Sequence, residues 1–273
     1  MYSGSFSYKP RKISLTPPHT FSIPFHWKIE KGFIISDATF SAFFLCEILT
    51  FPMHSRTAWS DYFTGNPITY KQKEYTIRQS IPGTSVHVLN CLFRSITSSE
   101  YGGALYCSLV TYLLVDSSSF FSCKTSGYYG GAIYFSYGSG QCVLHEVCGY
   151  DCISSCTSWS HGQFVYITVN NALSSKNYVN YSSVVRCVNG LSSSYYMLLL
   201  VNGNICCPSV NISNNKCQYY SGIFCNPLYD SNTFTGSFTC CSFTDNIASG
   251  HTCIHFWRGS VKIEFKSCNI LRN

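Results

Sequence analysis

The sequence predicts an all-β solenoid, a rod of short strands wound into stacked coils, and three observations lead there. A block of sixteen residues, Phe93 to Ser108 (FRSITSSEYGGALYCS), recurs without a gap 28 positions later as Phe121 to Ser136 (FSCKTSGYYGGAIYFS), with nine positions identical. A period between about 20 and 50 residues marks units that bury their apolar face only by stacking on their neighbours. The second observation is composition: 16% of the chain is aromatic and only 11% charged, against about 25% charged in an average soluble protein. Aromatic side chains fit a pleated, half-buried surface, and no long amphipathic helical pattern runs through the chain. The third is grammar: runs of four to six strand-forming residues bounded by Ser, Asn and Gly turns repeat along the sequence.

Taken in chain order, residues 1–80 read as an irregular or β-rich cap. They hold Pro10, Pro17, Pro18, Pro24, Pro52 and Pro67, one cysteine (Cys46) and no clear repeat. Proline breaks regular pairing, and terminal units of solenoids are atypical because they close off a core. The N-terminus is basic but lacks an apolar h-region, so a standard signal peptide is not expected. Gly32 to Phe51 is the most apolar stretch, yet it carries Asp37 and Glu47. Each acid costs about 2.5 to 3.5 kcal/mol near a membrane centre, so a buried pair of strands is expected there and no spanning segment.

Residues 81–273 read as the repeats. After the two quoted blocks come CTSWSHGQFVYI, VVRCVNGLSSSYYMLLLV, NISNNKCQYYSGIFC, CSFTDNIASGHTCIHFW and a last unit, VKIEFKSCNILRN, that stops after its first half. From about residue 86 this makes roughly six and a half coils, with the last incomplete. The repeat aligns Phe93 with Phe121, Leu105 with Ile133, and Gly102-Gly103 with Gly130-Gly131. Gly162 falls near the position of Gly131.

The paired glycines sit where the chain bends into a strand, and glycine permits positive φ and close backbone approach. No Lys-Ser/Thr follows them, so a phosphate loop is not indicated. Strand alternation then puts Leu105, Cys107, Ile133 and Phe135 inward, with Ala104, Tyr106, Ala132 and Tyr134 outward. Tyr106, Tyr134 and Tyr166 would form an outward ladder, either a face that grips sugar or protein or simple cross-coil stacking.

GGALY at Gly102, GGAIY at Gly130 and FTDN at Phe243 to Asn246 resemble the paired GGA[ILV] and FxxN repeats of the polymorphic outer-membrane protein family. Similar repeats occur in large surface-protein families of parasitic protists. The resemblance covers roughly Val86 to Asn273. It implies a right-handed parallel β-helix and an adhesin-like role at a cell surface or in secreted form. Departures are that only one unit has a clear FxxN, that others show FxxC-like variants such as FKSC at Phe265, and that no autotransporter barrel is visible. Without the resemblance, a cytoplasmic location stands as the alternative.

Little in the sequence points to chemistry, and no catalytic, metal or cofactor site is expected. The net charge of +6 is spread over 18 scattered Lys/Arg, unlike the basic stripe of a nucleic-acid binder. Carbohydrate-active β-helix enzymes need clustered carboxylates, and six Asp and six Glu are available. Asp116 and Glu146 are about one coil apart and could be neighbours; His161-Gly162 faintly echoes a glycosidase turn. His251 and His255 lie on one face of a strand about 13 Å apart, too far for one ion to bridge. Cys148, Cys152 and Cys156 are four apart, but turn-forming residues between them favour small buried residues over a metal site. The sequons at Asn180 and Asn211 matter only in a secretory route. The expected function is a non-enzymatic interaction or adhesion module for a protein or glycan surface. The alternatives are a carbohydrate-active β-helix enzyme and a truncated paralogue without its own activity.

Overall fold

The computed structural model describes residues 57–156, 160–187, 194–227, 234–249, 253–257 and 262–273. Among them the chain is all-β apart from one helical turn, Trp59–Asp61. Every strand pairing is parallel, and three long sheets run the length of the rod with eight, eight and seven strands. Each coil contributes one strand to each. Sheet A contains Ser85–Leu89, Tyr112–Asp116, Gln141–His145 and Lys176–Asn180; sheet B contains Leu92–Arg94, Ser119–Phe121, Cys148–Tyr150 and Ser183–Val185; sheet C contains Leu105–Cys107, Ile133–Ser136, Val165–Thr168 and Leu198–Val201. From Ser85 onward there are six complete coils and the opening two strands of another, Lys262–Lys266 and Asn269–Leu271. A further coil precedes them: Ile68–Lys71, Glu74–Tyr75 and Gln79–Ser80 pair with the strands that follow. The end of the stretch read as a lead-in is therefore already wound. Its first 56 residues, with Cys46 and the apolar Gly32 to Phe51, lie outside the described residues.

The A–B and B–C corners are turned by single residues in the left-handed region. Asn90, Ser117, Glu146 and Tyr181 follow sheet A, and Ser95, Ser122, Asp151 and Arg186 follow sheet B, all with φ between 46 and 54°. None is glycine, although an L side chain pays roughly 1–2 kcal/mol there. Stacking over-determines the bend: the amide of each corner residue is bound by the coil that follows, as in Ser117 N–H to His145 O (3.0 Å) and Ser122 N–H to Tyr150 O (2.9 Å).

Leu105 lies directly against Ile133 and Ile133 against Val165, and Leu105, Cys107, Ile133 and Phe135 are all fully buried. Ala104 and Ala132 are buried too; they sit at the corner ahead of the strand, where alternation does not yet hold, and so do not share the tyrosines' outward face. Phe93 pairs with Phe120, not Phe121. Their rings stack at 4.6 Å and 2° inside the rod, whereas Phe121 is half-buried on the outer side opposite Arg94. The ungapped 28-residue repeat conceals a 27-residue step here (93 to 120) and a compensating residue before Ile133. A one-residue slip moves a side chain to the other face of a strand.

The corner after sheet B explains the FxxN variants. Asn215, Asn246 and Asn273 form one column; Asn246 donates its side-chain amide to Ile212 O (2.8 Å) and accepts from the Asn215 amide (3.1 Å). Cys123, Cys152 and Cys187 occupy the same column in earlier coils. The Cys152 thiol donates to Phe120 O (3.4 Å), and the Cys187 sulfur accepts from the Cys152 amide (3.4 Å). Cysteine thus repeats both asparagine hydrogen bonds more weakly. FKSC at Phe265 belongs elsewhere: Phe265 pairs with Phe238 on sheet A, and Cys268 follows Ser267, the left-handed residue that turns the A–B corner.

Fifteen described cysteines are free thiols, and Cys148 is disulfide-bonded. Burial pushes the thiols of Cys107, Cys142, Cys187, Cys207 and Cys225 above their ordinary value, which keeps them inert. Cys148 lies on a sheet B strand, Cys152 at the following corner and Cys156 past the next short strand, so the three do not converge.

Candidate functional site

The outer face of sheet C carries the tyrosine ladder in the expected register. Tyr106 pairs with Tyr134 and Tyr134 with Tyr166, with ring centroids 5.4 and 5.1 Å apart and interplanar angles of 8 and 17°. All three are half-buried. Arg78, on the preceding coil, lies 4.7 Å from the Tyr106 ring centroid and closes that end. Its guanidinium is fixed by Tyr101 O (2.9 Å), Gly102 O (3.0 Å) and Glu100 (2.9 Å).

A second aromatic column, not anticipated from the sequence, runs beside the first at the corner ahead of sheet C. Tyr101, Tyr129, His161, Tyr195 and Tyr219 follow one another at 5.1, 5.9, 5.0 and 4.6 Å. Tyr129 joins the two columns, 4.7 Å from Tyr166. Toward the far end, Tyr196, Tyr220, Phe224 and His255 continue the band: Tyr220 and His255 stack at 4.7 Å and 6°, and the Tyr196 hydroxyl bonds His255 Nδ1 at 3.1 Å. Trp257, 56% exposed, ends it. The signal for the second column was present as Tyr or His immediately before Gly102, Gly130 and Gly162. His251 lies outside the described residues, and His255 belongs to this band.

Glycine makes the corner possible. Gly102, Gly130 and Gly162 share φ of 64–66°, so Gly162 matches Gly130 and not Gly131. A Cβ on Gly131 would lie 1.9 Å from Gln163 O, where the next coil passes. In-register rings cover each other's faces, so the band offers solvent its ring edges and a row of phenolic hydroxyls. Burial raises the Tyr129, Tyr134 and Tyr196 hydroxyls above their ordinary value, so they remain protonated donors.

Sheet A differs. Thr57 to Thr64 lies across its outer face, and Trp59 and Phe63 pack with Leu114 and Val143 into a small second core. At its edge the structure gathers polar residues. Asp116, His145 and Asn180 stand one behind another in register, and His87 Nε2 is 3.7 Å from Asp116 Oδ2. The Ser117 hydroxyl bridges Asp116 Oδ1 (2.9 Å) and Glu146 Oε2 (3.0 Å). The Tyr62 hydroxyl lies 3.0 Å from His145 Nδ1 and accepts from Asn180 Nδ2 at 2.9 Å. Asp116 and Glu146 are thus neighbours, but Asp116 is only 1% exposed. His161, by contrast, is far from this pair, in the aromatic band.

No family model matches the chain, and neither does any curated protein or solved structure.

Proposed function

We propose that this protein is a non-enzymatic interaction module that holds a glycan or protein surface along the sheet C face of its rod. The observation that carries this reading is the aromatic band from Tyr101 to Trp257, set on stacked coils. Coils repeat at about 4.8 Å, so the hydroxyls of Tyr106, Tyr134 and Tyr166 stand at even spacing on three successive coils. Tyrosine supplies contact area at low entropy cost and is enriched at interfaces. Because the row is rigid, a partner with a repeating polar surface meets many weak contacts at once, and avidity replaces a deep pocket. The resemblance to adhesin-like repeats supports a surface or secreted setting for such a role.

Burial of Asp116 favours binding over glycoside hydrolysis, which needs both carboxyl groups at the bond to be cut. A glycan array read together with a sugar-release assay tests the proposal. Retention without released product is expected, and Tyr134→Ala with Tyr166→Ala should abolish it while the fold persists. Unchanged retention in that double variant, or released sugar from the parent, would overturn the reading.

A further inference from the structure

We propose that the polar cluster at the edge of sheet A is a binding site for a divalent first-row transition ion of the Zn²⁺ type, held between consecutive coils. The candidate ligands are Asp116, His145 and Glu146, which offer ligand atoms all within 4.8 Å of one another, with His87 adjoining. Asp116 comes from one coil and His145 and Glu146 from the next, with His87 on the coil before.

Two buried atoms point to an ion. His87 Nε2 and Asp116 Oδ2 have no hydrogen-bond partner, although His87 is 6% and Asp116 1% exposed. An unmade hydrogen bond on a buried polar atom costs about 1–3 kcal/mol, and more on a charged one. The pair faces each other at 3.7 Å, beyond hydrogen-bond length. His145 Nε2 and Glu146 Oε1 stand 3.8 Å apart. Ligands at about 2.0–2.2 Å around a tetrahedral Zn²⁺ lie about 3.4 Å from each other, so these two gaps are already near that spacing, and the wider ones within the 4.8 Å group close by side-chain shifts of up to about an ångström.

The surroundings select which atoms are offered. Ser117 engages Asp116 Oδ1 and Glu146 Oε2, leaving Oδ2 and Oε1 directed elsewhere. Tyr62 engages His145 Nδ1, and Nε2, which meets Thr57 Oγ1 at 2.7 Å, would exchange that contact for the ion. Such outer partners fix the tautomer and orientation of ligands. Two imidazoles and two carboxylates suit Zn²⁺ and similar ions rather than soft Cu(I), and the two carboxylates balance its charge. Occupancy would fasten two coils together beneath the Thr57 to Thr64 segment, with His87 of the coil before alongside.

The test is titration calorimetry of the full chain with ZnCl₂ after chelator treatment, alongside thermal unfolding. The parent should take up one equivalent that both Asp116→Asn and Glu146→Gln lose or weaken at least tenfold, while Glu264→Gln, a half-buried carboxylate on another coil, retains it. Zn²⁺ should raise the Tm of the parent and not of Glu146→Gln. Glu146 is half-buried at a corner, so its amide variant keeps the fold and remains informative if Asp116→Asn does not. Uptake by the parent that both variants match in number and affinity, or no uptake at all, would overturn the site.

Discussion

Sheets A and C are built by the same winding, yet one outer face is covered and the other is open. The difference lies in the outward residues. On sheet A they include Leu114 and Val143, fully buried beneath Trp59 and Phe63. On sheet C they include Tyr106, Tyr134 and Tyr166, half-buried residues whose rings cover one another without a second layer. An aliphatic outer row needs a second layer, because each such side chain gains about 1.5–3 kcal/mol only when water is removed. A tyrosine row needs none. A solenoid can therefore decide coil by coil which face to close and which to leave for a partner.

The largest effect should come from breaking what both faces share. Gly131→Val places a Cβ 1.9 Å from Gln163 O and 2.5 Å from Ile153 C, both backbone atoms with no room to yield. A loss of at least ~4 kcal/mol is expected, read as a collapse of the denaturant midpoint or of soluble yield. A midpoint equal to the parent's would mean that the coils do not lie over one another as described.

Next comes the closed face alone. Trp59→Ala should cost about 3–5 kcal/mol, the range for truncating a buried aromatic, because the Phe63 ring packs at a tilt against Trp59, centroids 4.8 Å apart, and loses its support. Tyr134→Ala should cost only ~0.5–1.5 kcal/mol, the stacking worth of a half-exposed pair. Equal losses in the two variants, measured by denaturant unfolding, would erase the distinction between a covered and an open face.

The two faces were not equally legible in the sequence. The tyrosine ladder was readable because the GGA-x-Y block keeps its residues at the same index, so identity and register coincide. Phe121 was misplaced because a 27-residue step and one extra residue cancel within the ungapped match. The sheet A cluster was half visible: Asp116 and Glu146 were noted as a coil apart, but His87 and His145 fit no local motif. For His145 the signal was the spacing itself, since it follows Asp116 by 29 residues and stands in register with it; His87 gave none, because it is in register with Leu114, two residues short of Asp116. In a solenoid, ligands meet at the coil period and not at the i, i+2 or i, i+4 spacings of a single element. The cover from Thr57 to Thr64 was hidden for another reason, because nothing in its composition says which face it will lie on.

The smallest effect probes the open face by pH. His161 sits in the corner column between Tyr129 and Tyr195, with Nδ1 buried and unbonded. Burial disfavours the imidazolium and holds this group below the ordinary histidine value of 6.5. As pH falls through 6.5, the unfolded chain takes a proton that the folded chain still refuses, so the unfolded state binds more protons and stability drops. The drop continues until pH passes the depressed folded value and then levels off; above 6.5 both states are neutral and this residue adds no slope. The Tm should therefore fall as pH drops below 6.5, and His161→Asn should remove that part of the slope. A parent whose Tm rises on acidification across this window, or a variant with an identical slope, would mean that the column is wet at this point, and that the open face is less tightly stacked than its rings suggest.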